Sequence, residues 1–339
     1  MEASDLARLV DRHFKLVGDV SRLHVQSNGR QLRMTSGNQA GVVFSNTTEA
    51  ASGNIRACVN GEAFRGMLRA ANKIQLSLRD SRLFIEGPGI RADLPTLSAG
   101  DVPQMSKAGD GVQLGEDDVD WLRTVIERVK LKDPSADAQL SIACDGRDLV
   151  VCYYDSFHGA FTSKEGTAKM AFGFFPSDVD LLQNALSVKS PGLLHAAGNN
   201  LIVRTKGETT MLPSTVSQAV SPLKVAEGAK PVAEFDSDDL RTALDGMSSL
   251  AKDGNPVRVR AAKDGLEVSI ESKAGGLARK VKSRARRPLD AKVSFKYLYD
   301  TLRQCRGPAD LLAHVDDSDT PVRLQVDCDG YTYLTVTTD

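Results

Sequence analysis

Three observations predict an α+β chain built as three tandem domains of one kind, each with two helices packed on antiparallel sheets. Amphipathic helix starts recur 112 and 121 residues apart, each start is followed by a two-strand hairpin pattern, and a second amphipathic helix stands midway to the next start. The 339 residues then divide into thirds of ordinary domain size.

The first helix of each third opens on polar capping residues. These are Ser4-Asp5-Leu6, running to about Phe14; Gly115-Glu116-Asp117-Asp118-Val119, running to about Val129; and Asp236-Ser237-Asp238-Asp239-Leu240, running to about Leu250. Alternating segments follow: Arg22 to Gln26 and Gln31 to Thr35, then Gln139 to Ala143 and Asp148 to Tyr153, then Pro256 to Ala261 and Leu266 to Ile270. Each pair is joined by a tight polar turn, Ser27-Asn28-Gly29-Arg30, Cys144-Asp145-Gly146-Arg147 or Ala262-Lys263-Asp264-Gly265, which is hairpin chemistry. The second helices are Asn60 to Asn72, Pro176 to Leu186 and Phe295 to Gln304. Each repeats one apolar face: Phe64-Met67-Leu68, Val179-Leu182-Leu186 and Leu298-Thr301-Leu302. Further strands follow, about eight per third, and the chain ends after a strand at Tyr331 to Thr337. Linker-like segments near Ala108 to Val112 and Leu223 to Lys230 place the domains at 1–110, 111–225 and 226–339.

Composition removes several function classes. Lys+Arg 43 against Asp+Glu 44 leaves a formal charge of −1, so any nucleic-acid surface is local. One Trp and 5% aromatic residues argue against a single-strand binder, which needs stacking platforms. The longest apolar stretch, Met170 to Pro176, is far below the roughly 20 residues that span a bilayer, and Met1-Glu2-Ala3-Ser4-Asp5 has no signal-peptide character. The expectation is an intracellular protein with no membrane partner. Cys58, Cys144, Cys152, Cys305 and Cys328 form no C-x-x-C pair, and the five histidines are dispersed, so the cysteines are read as reduced, with no metal centre or cofactor. Asp316-Asp317-Ser318-Asp319 reads as a solvated turn rather than a cation site. Phosphate-loop, dinucleotide-binding and nucleophile-elbow signatures are absent, and no nucleophile, base and oxyanion set emerges, so no enzyme is expected.

The run Val59-Asn60-Gly61-Glu62-Ala63-Phe64-Arg65-Gly66-Met67-Leu68-Arg69, with Ile74 to Leu78, Leu83 to Gly87 and Thr96-Leu97-Ser98-Ala99-Gly100-Asp101-Val102-Pro103, resembles the first domain of a bacterial-type (beta) DNA sliding clamp. The threefold repeat extends the resemblance over the chain, as a divergent or phage-encoded member. The resemblance implies a closed ring of six domains, made by a head-to-tail homodimer, with helices lining the hole and sheets outside. Such a ring encircles double-stranded DNA without sequence preference and tethers the DNA polymerase for processivity. A clamp loader places it there, in the cytoplasm at the nucleoid or a viral replication site. The alternative is a clamp-like interaction scaffold that does not encircle DNA.

The residues can be asked whether they suit DNA. Arg65, Arg69 and Lys73 stand at i, i+4 and i+8, one basic edge of the second helix. The first helix adds Arg8, Arg12 and Lys15; domain two adds Arg123, Arg128, Lys130 and Lys132; domain three adds Arg241, Lys296, Arg303 and Arg306. Any soluble helix exposes cations, yet their recurrence in a slightly acidic chain suggests charge sorted between surfaces. Phosphate contacts without base readout suit a ring that slides. The run Arg279 to Arg287 puts Lys280, Lys282, Arg284 and Arg286 in alternation, either an electrostatic rim or an edge strand guarded by charge.

In the sliding-clamp family, partners insert a short peptide with apolar anchors into a pocket between domains two and three. Carried over, the pocket residues here are Tyr154, Asp155, Phe157 and His158 in the turn, Pro213 and Val216 in the linker, and Leu334 and Val336 on the last strand.

Overall fold

A computed structural model describes residues 2–49, 53–98, 100, 102–105, 113–131, 134–167, 169–187, 192–214, 226–251 and 254–338. The elements run α1 (Ala3–Val17), β1 (Leu23–Asn28), β2 (Gln31–Gly37), β3 (Val43–Glu49), β4 (Asn54–Val59), α2 (Gly61–Arg69), β5 (Gln75–Arg79), β6 (Arg82–Gly87), β7 (Ile90–Pro95) and β8 (Gln113–Leu114). They continue α3 (Glu116–Val129), β9 (Gln139–Asp145), β10 (Asp148–Tyr154), β11 (His158–Glu165), β12 (Lys169–Phe174), α4 (Pro176–Leu186), β13 (Leu193–Ala197), β14 (Asn200–Thr205) and β15 (Glu208–Pro213). The last part holds β16 (Lys230–Asp236), α5 (Ser237–Asp245), β17 (Pro256–Ala262), β18 (Gly265–Ser272), β19 (Gly275–Val281), β20 (Ser283–Ala285), β21 (Leu289–Ser294), α6 (Phe295–Gln304), β22 (Pro308–Val315), β23 (Pro321–Cys328) and β24 (Tyr331–Thr338). By compactness the chain divides into one unit of Met1–Arg123 with Ser177–Thr215 and another of Thr124–Pro176 with Val216–Asp339.

In the first unit an antiparallel sheet runs β4-β1-β2-β3-β15-β14-β13-β8, and β5-β6-β7 form a separate three-stranded sheet. The join lies at β3 and β15, where Val43 pairs with Met211 and Asn46 with Glu208, so strands distant in sequence share one sheet. Leu6, Val10, Leu16 and Val17 of α1 are buried at helical spacing, and the Asn46 side-chain amide donates to the Leu9 carbonyl at 2.9 Å. α1 runs a turn past Phe14 because Leu16 and Val17 have a core to enter. It stops at Gly18, whose φ of 82° favours glycine and whose N–H caps the Phe14 carbonyl. Asn60 caps α2 by accepting from the Ala63 N–H at 2.9 Å. Gly61 is required next to it, since a Cβ there would meet the Val20 carbonyl oxygen at 2.6 Å.

In the second unit the sheet path is β12-β9-β10-β11-β24-β21-β17-β18-β19, with β16, β20, β22 and β23 joined to it. Here too a distant pairing closes the sheet: β11 meets β24 from His158 opposite Thr335 to Phe161 opposite Thr332. α5 buries Leu240, Ala243 and Leu244; α6 buries Leu298, Thr301 and Leu302. α5 ends at Asp245 rather than near Leu250: Gly246 keeps helical dihedrals, but beyond it the backbone bonds are mostly three-residue turns, such as Met247 N–H to the Leu244 carbonyl at 2.8 Å.

The five cysteines are free and buried, and among the described residues no cluster of His, Cys, Asp or Glu could hold a metal. Asp316 accepts from the Ser318 and Thr320 N–H groups at 2.9 Å, a self-contained turn. No helix among the described residues is long and apolar enough to cross a membrane.

His13 sets a pH limit on the first unit. Its ring is buried edge-on to Phe44 with centroids 4.6 Å apart, and Nδ1 lies 2.7 Å from the Ser36 hydroxyl. Burial, helped by the Arg12 charge and opposed by Asn46, pushes its pKa down to about 4. The native state therefore holds a neutral ring while the unfolded chain protonates near pH 6.5, so stability is full above that value and falls as pH drops towards 4. The loss is expected to reach about 3 kcal/mol. Urea unfolding at several pH values checks this, with His13→Gln expected to flatten the slope between those limits.

Candidate functional site

A cavity of about 170 Å³ opens where the β10–β11 turn meets β24. The turn is built by one carboxylate. Asp155 Oδ1 accepts from the N–H groups of Phe157 (2.8 Å) and His158 (2.9 Å) and contacts His158 Nδ1 at 2.9 Å, while Oδ2 accepts from the Ser135 N–H at 3.1 Å. Burial pushes this carboxyl up, but the backbone donors and the imidazole outweigh it and hold it below the ordinary range. The Ser156 hydroxyl donates to Asp137, which fixes the far side of the turn. The Val336 N–H donates to the Phe157 carbonyl at 2.9 Å, which ties the last strand to the turn.

The walls are apolar. Cys152, Phe161 and Leu334 form a buried cluster against which Tyr154 and Ala226 pack. Phe157 is pushed outward, 46% exposed, with its ring stacked on Tyr297 at 5.4 Å; the His158 ring stacks on Tyr297 at 4.4 Å. Arg323, opposite Val336 on β23, supplies the cationic rim. The volume admits one or two aliphatic side chains, and the open edge presents an aromatic ring to a visiting one.

Tyr154, Asp155, Phe157, His158, Leu334 and Val336 are thus brought together. Asp155 and His158 are internal, with side chains essentially inaccessible, so they shape the turn rather than meet a ligand. Two expectations are corrected or left aside. Pro213 is not in a linker: it ends β15, opposite Asn200, in the first unit. Val216 lies outside the described residues. Cys152 and Phe161 were legible from hairpin register, which sets them opposite each other; Arg323 required knowledge that β23 pairs with β24.

The helix-borne cations differ in what they touch. Arg12 is corrected: its side chain is only 19% exposed, donates to Glu208 at 2.9 Å and lies against the Phe44 ring, so it is a structural residue. Arg65 and Arg69 converge on Asp11 of α1, Arg65 also lying 4.7 Å over the Phe14 ring. Lys73 is not the third member of a helical stripe, because α2 ends at Arg69; it pairs with Glu2 at 3.7 Å. Arg8 pairs with Asp5 in the open, and Arg123 donates to the Leu186 carbonyl at 2.7 Å. Arg128 pairs with Asp329 at 2.7 Å over the Tyr331 ring, and Arg241 with Asp238. Lys296 and Arg303 are exposed beside Tyr297 and Tyr299. Lys132 lies outside the described residues.

In the second unit a cleft of about 570 Å³ gathers Arg128, Lys130, Arg241, Arg303 and Arg306, with Glu127, Asp245 and Asp300 also on its wall. The helices as a set, however, carry more acidic than basic side chains, and α4 has no basic residue. Charge is therefore not sorted by helix, although this cleft brings five cations together. The run at residues 279–287 also departs from one continuous strand: it breaks at Lys282 between β19 and β20, with Lys280 paired to Asp264, Arg286 to Glu234 and Arg287 to Asp319. That is the behaviour of a charge-guarded edge.

No protein-family model matches the sequence, and neither does any curated protein. Solved structures do. The DNA polymerase III subunit beta of Pseudomonas aeruginosa superposes with a TM-score of 0.80 at 15% identity, covering 100% of this chain and 98–99% of that one in its several crystal forms. The Caulobacter crescentus polymerase III beta gives 0.80 at 13% identity, and the Helicobacter pylori beta clamp bound to a DNA ligase peptide gives 0.77 at 11%, each over 100% of this chain and 99% of the other. Over its whole length, the chain has the fold of the bacterial DNA polymerase sliding clamps.

Proposed function

We propose that the protein is a DNA sliding clamp without catalytic chemistry. Two copies, each of three domains at 1–110, 111–225 and 226–339, close head to tail around duplex DNA and tether a polymerase after a loader has placed the ring. The single observation that carries this reading is the end-to-end match of fold, since a chain that keeps the clamp architecture over its full length at 11–15% identity has kept the shape while changing nearly every residue. Two features support it. The cationic cleft offers phosphate attraction without base readout. The apolar cavity at the β10–β11 turn suits a short peptide, and the Helicobacter pylori clamp was crystallised with one from DNA ligase.

The acid excess of the helices favours a second reading, a clamp-fold scaffold that gathers partners without encircling DNA. Light scattering separates the two at the first step: a closed ring of three-domain protomers has twice the 36.5 kDa chain mass. A stable monomer at micromolar concentration would remove the ring and leave the scaffold.

A further inference from the structure

Far in sequence from the peptide cavity, the first unit carries a groove on the sheet face away from α1. A cavity of about 1150 Å³ lies between the sheet and a strap of residues 102–105, and an adjoining one of about 630 Å³ shares Gln26, Arg33, Thr47 and Arg56 with it. The strap is seated closely: a Cβ at Gly37 would meet the Pro103 side chain at 3.0 Å. Register shows how the lining is ordered. Arg56 on β4 faces Gln26 on β1, Gln26 faces Arg33 on β2, and Arg33 faces Thr47 on β3, which makes one row across four strands. The next row holds Thr35, Ser45, Thr209 and Arg204.

Three arginines therefore project over a floor of hydroxyl and amide groups. No carboxylate among the described residues lies within ion-pair distance of Arg33, Arg56 or Arg204, although most other arginines of the unit have one. Among the described residues the one carboxylate on the wall is Glu208, which is held by Arg12. In a chain of net charge −1, three adjacent unpaired guanidinium groups mark a surface whose counter-charge lies on another molecule.

We infer that this groove binds an extended acidic segment of a partner protein. Arg56 and Arg33 stand two strand spacings apart, about 10 Å, which is the separation of acidic side chains three residues apart on one face of an extended chain of polyproline-II form lying across the strands. Arg204 lies three strands beyond Arg33 and one row along the sheet. The hydroxyl rows supply donors and acceptors for the backbone of such a segment. A single nucleic-acid strand is disfavoured because, among the described residues, no aromatic side chain lines either cavity.

The test uses the full-length protein and fluorescence anisotropy with a labelled Glu-Ser peptide that repeats Glu-Ser-Ser, its Gln-Ser counterpart, and an oligothymidylate of matching charge. The Glu-Ser peptide is expected to bind with an affinity that falls as salt rises, and the Gln-Ser peptide not to bind. Arg33→Gln, Arg56→Gln and Arg204→Gln combined should weaken binding by roughly tenfold or more, while the three Arg→Lys changes retain most of it. A photo-crosslinking form of the peptide, used on the unaltered protein, should label fragments containing Arg33, Arg56 or Arg204, and so decides the matter even if the triple variant is unstable. Equal binding by the Gln triple variant, crosslinks elsewhere, or tighter binding of the oligothymidylate through the same arginines would each overturn the proposal.

Discussion

Phe157→Ala is expected to bind a short peptide with two apolar anchors about a hundredfold more weakly than the parent, with its fold unchanged. The size follows from position. The ring is 46% exposed, stacked on Tyr297 and set at the mouth of an apolar cavity, so truncation removes the surface on which an incoming aromatic or aliphatic anchor would pack. Stability should fall by about 1 kcal/mol, because nearly half of the residue is exposed and its stacking on Tyr297 is what the fold loses. Isothermal titration and a urea melt measure both arms. This variant is a cleaner test than removing the end of the chain, since Thr337 and Thr338 pair with Val293 and Lys292 of β21 and their loss would unpair two strands. Full binding by Phe157→Ala would move the peptide site elsewhere.

A larger cost to the fold is expected from Asp155→Ala. One inaccessible carboxylate accepts from three backbone N–H groups and holds the His158 ring, so its removal strands four donors at once. A loss of about 3–5 kcal/mol is expected, with peptide binding lost as well because the turn that presents Phe157 is undone. Asp155→Asn should cost less, as it keeps one acceptor oxygen. The depressed carboxyl contributes stability that is present above about pH 4 and is lost as pH falls through its native value, so the Asn variant should lack that part of the acid sensitivity. Urea midpoints of the three proteins across this range measure it; equal midpoints would mean that the turn stands without its carboxylate.

Much of the architecture was legible because periodicity and turn chemistry are local. Six helices were placed by apolar spacing and caps, and the hairpins at Asn28-Gly29, Asp145-Gly146 and Asp264-Gly265 by their turn residues. Helix ends were less legible, because α1 continues only where Leu16 and Val17 find a core and α2 stops before Lys73. Pairings between distant strands, β3 with β15 and β11 with β24, leave no local mark, and they decide which side chains share a site. Phe157 and Leu334 could be named from resemblance, whereas Arg323 depends on pairing. Charge was the weakest guide. Arg12 looks like its neighbours in sequence, yet Glu208, 196 residues away, turns it into an internal tie.

The claim that this chain forms a ring around DNA is tested most directly by topology. Protomers diluted to dissociation and then concentrated with a nicked circular plasmid should remain on the circle through gel filtration at high salt and be released when the plasmid is cut once. High salt removes phosphate contacts but cannot remove a closed ring from a circle. Loss from the circle at high salt, or equal retention on circular and linear DNA, would contradict the account.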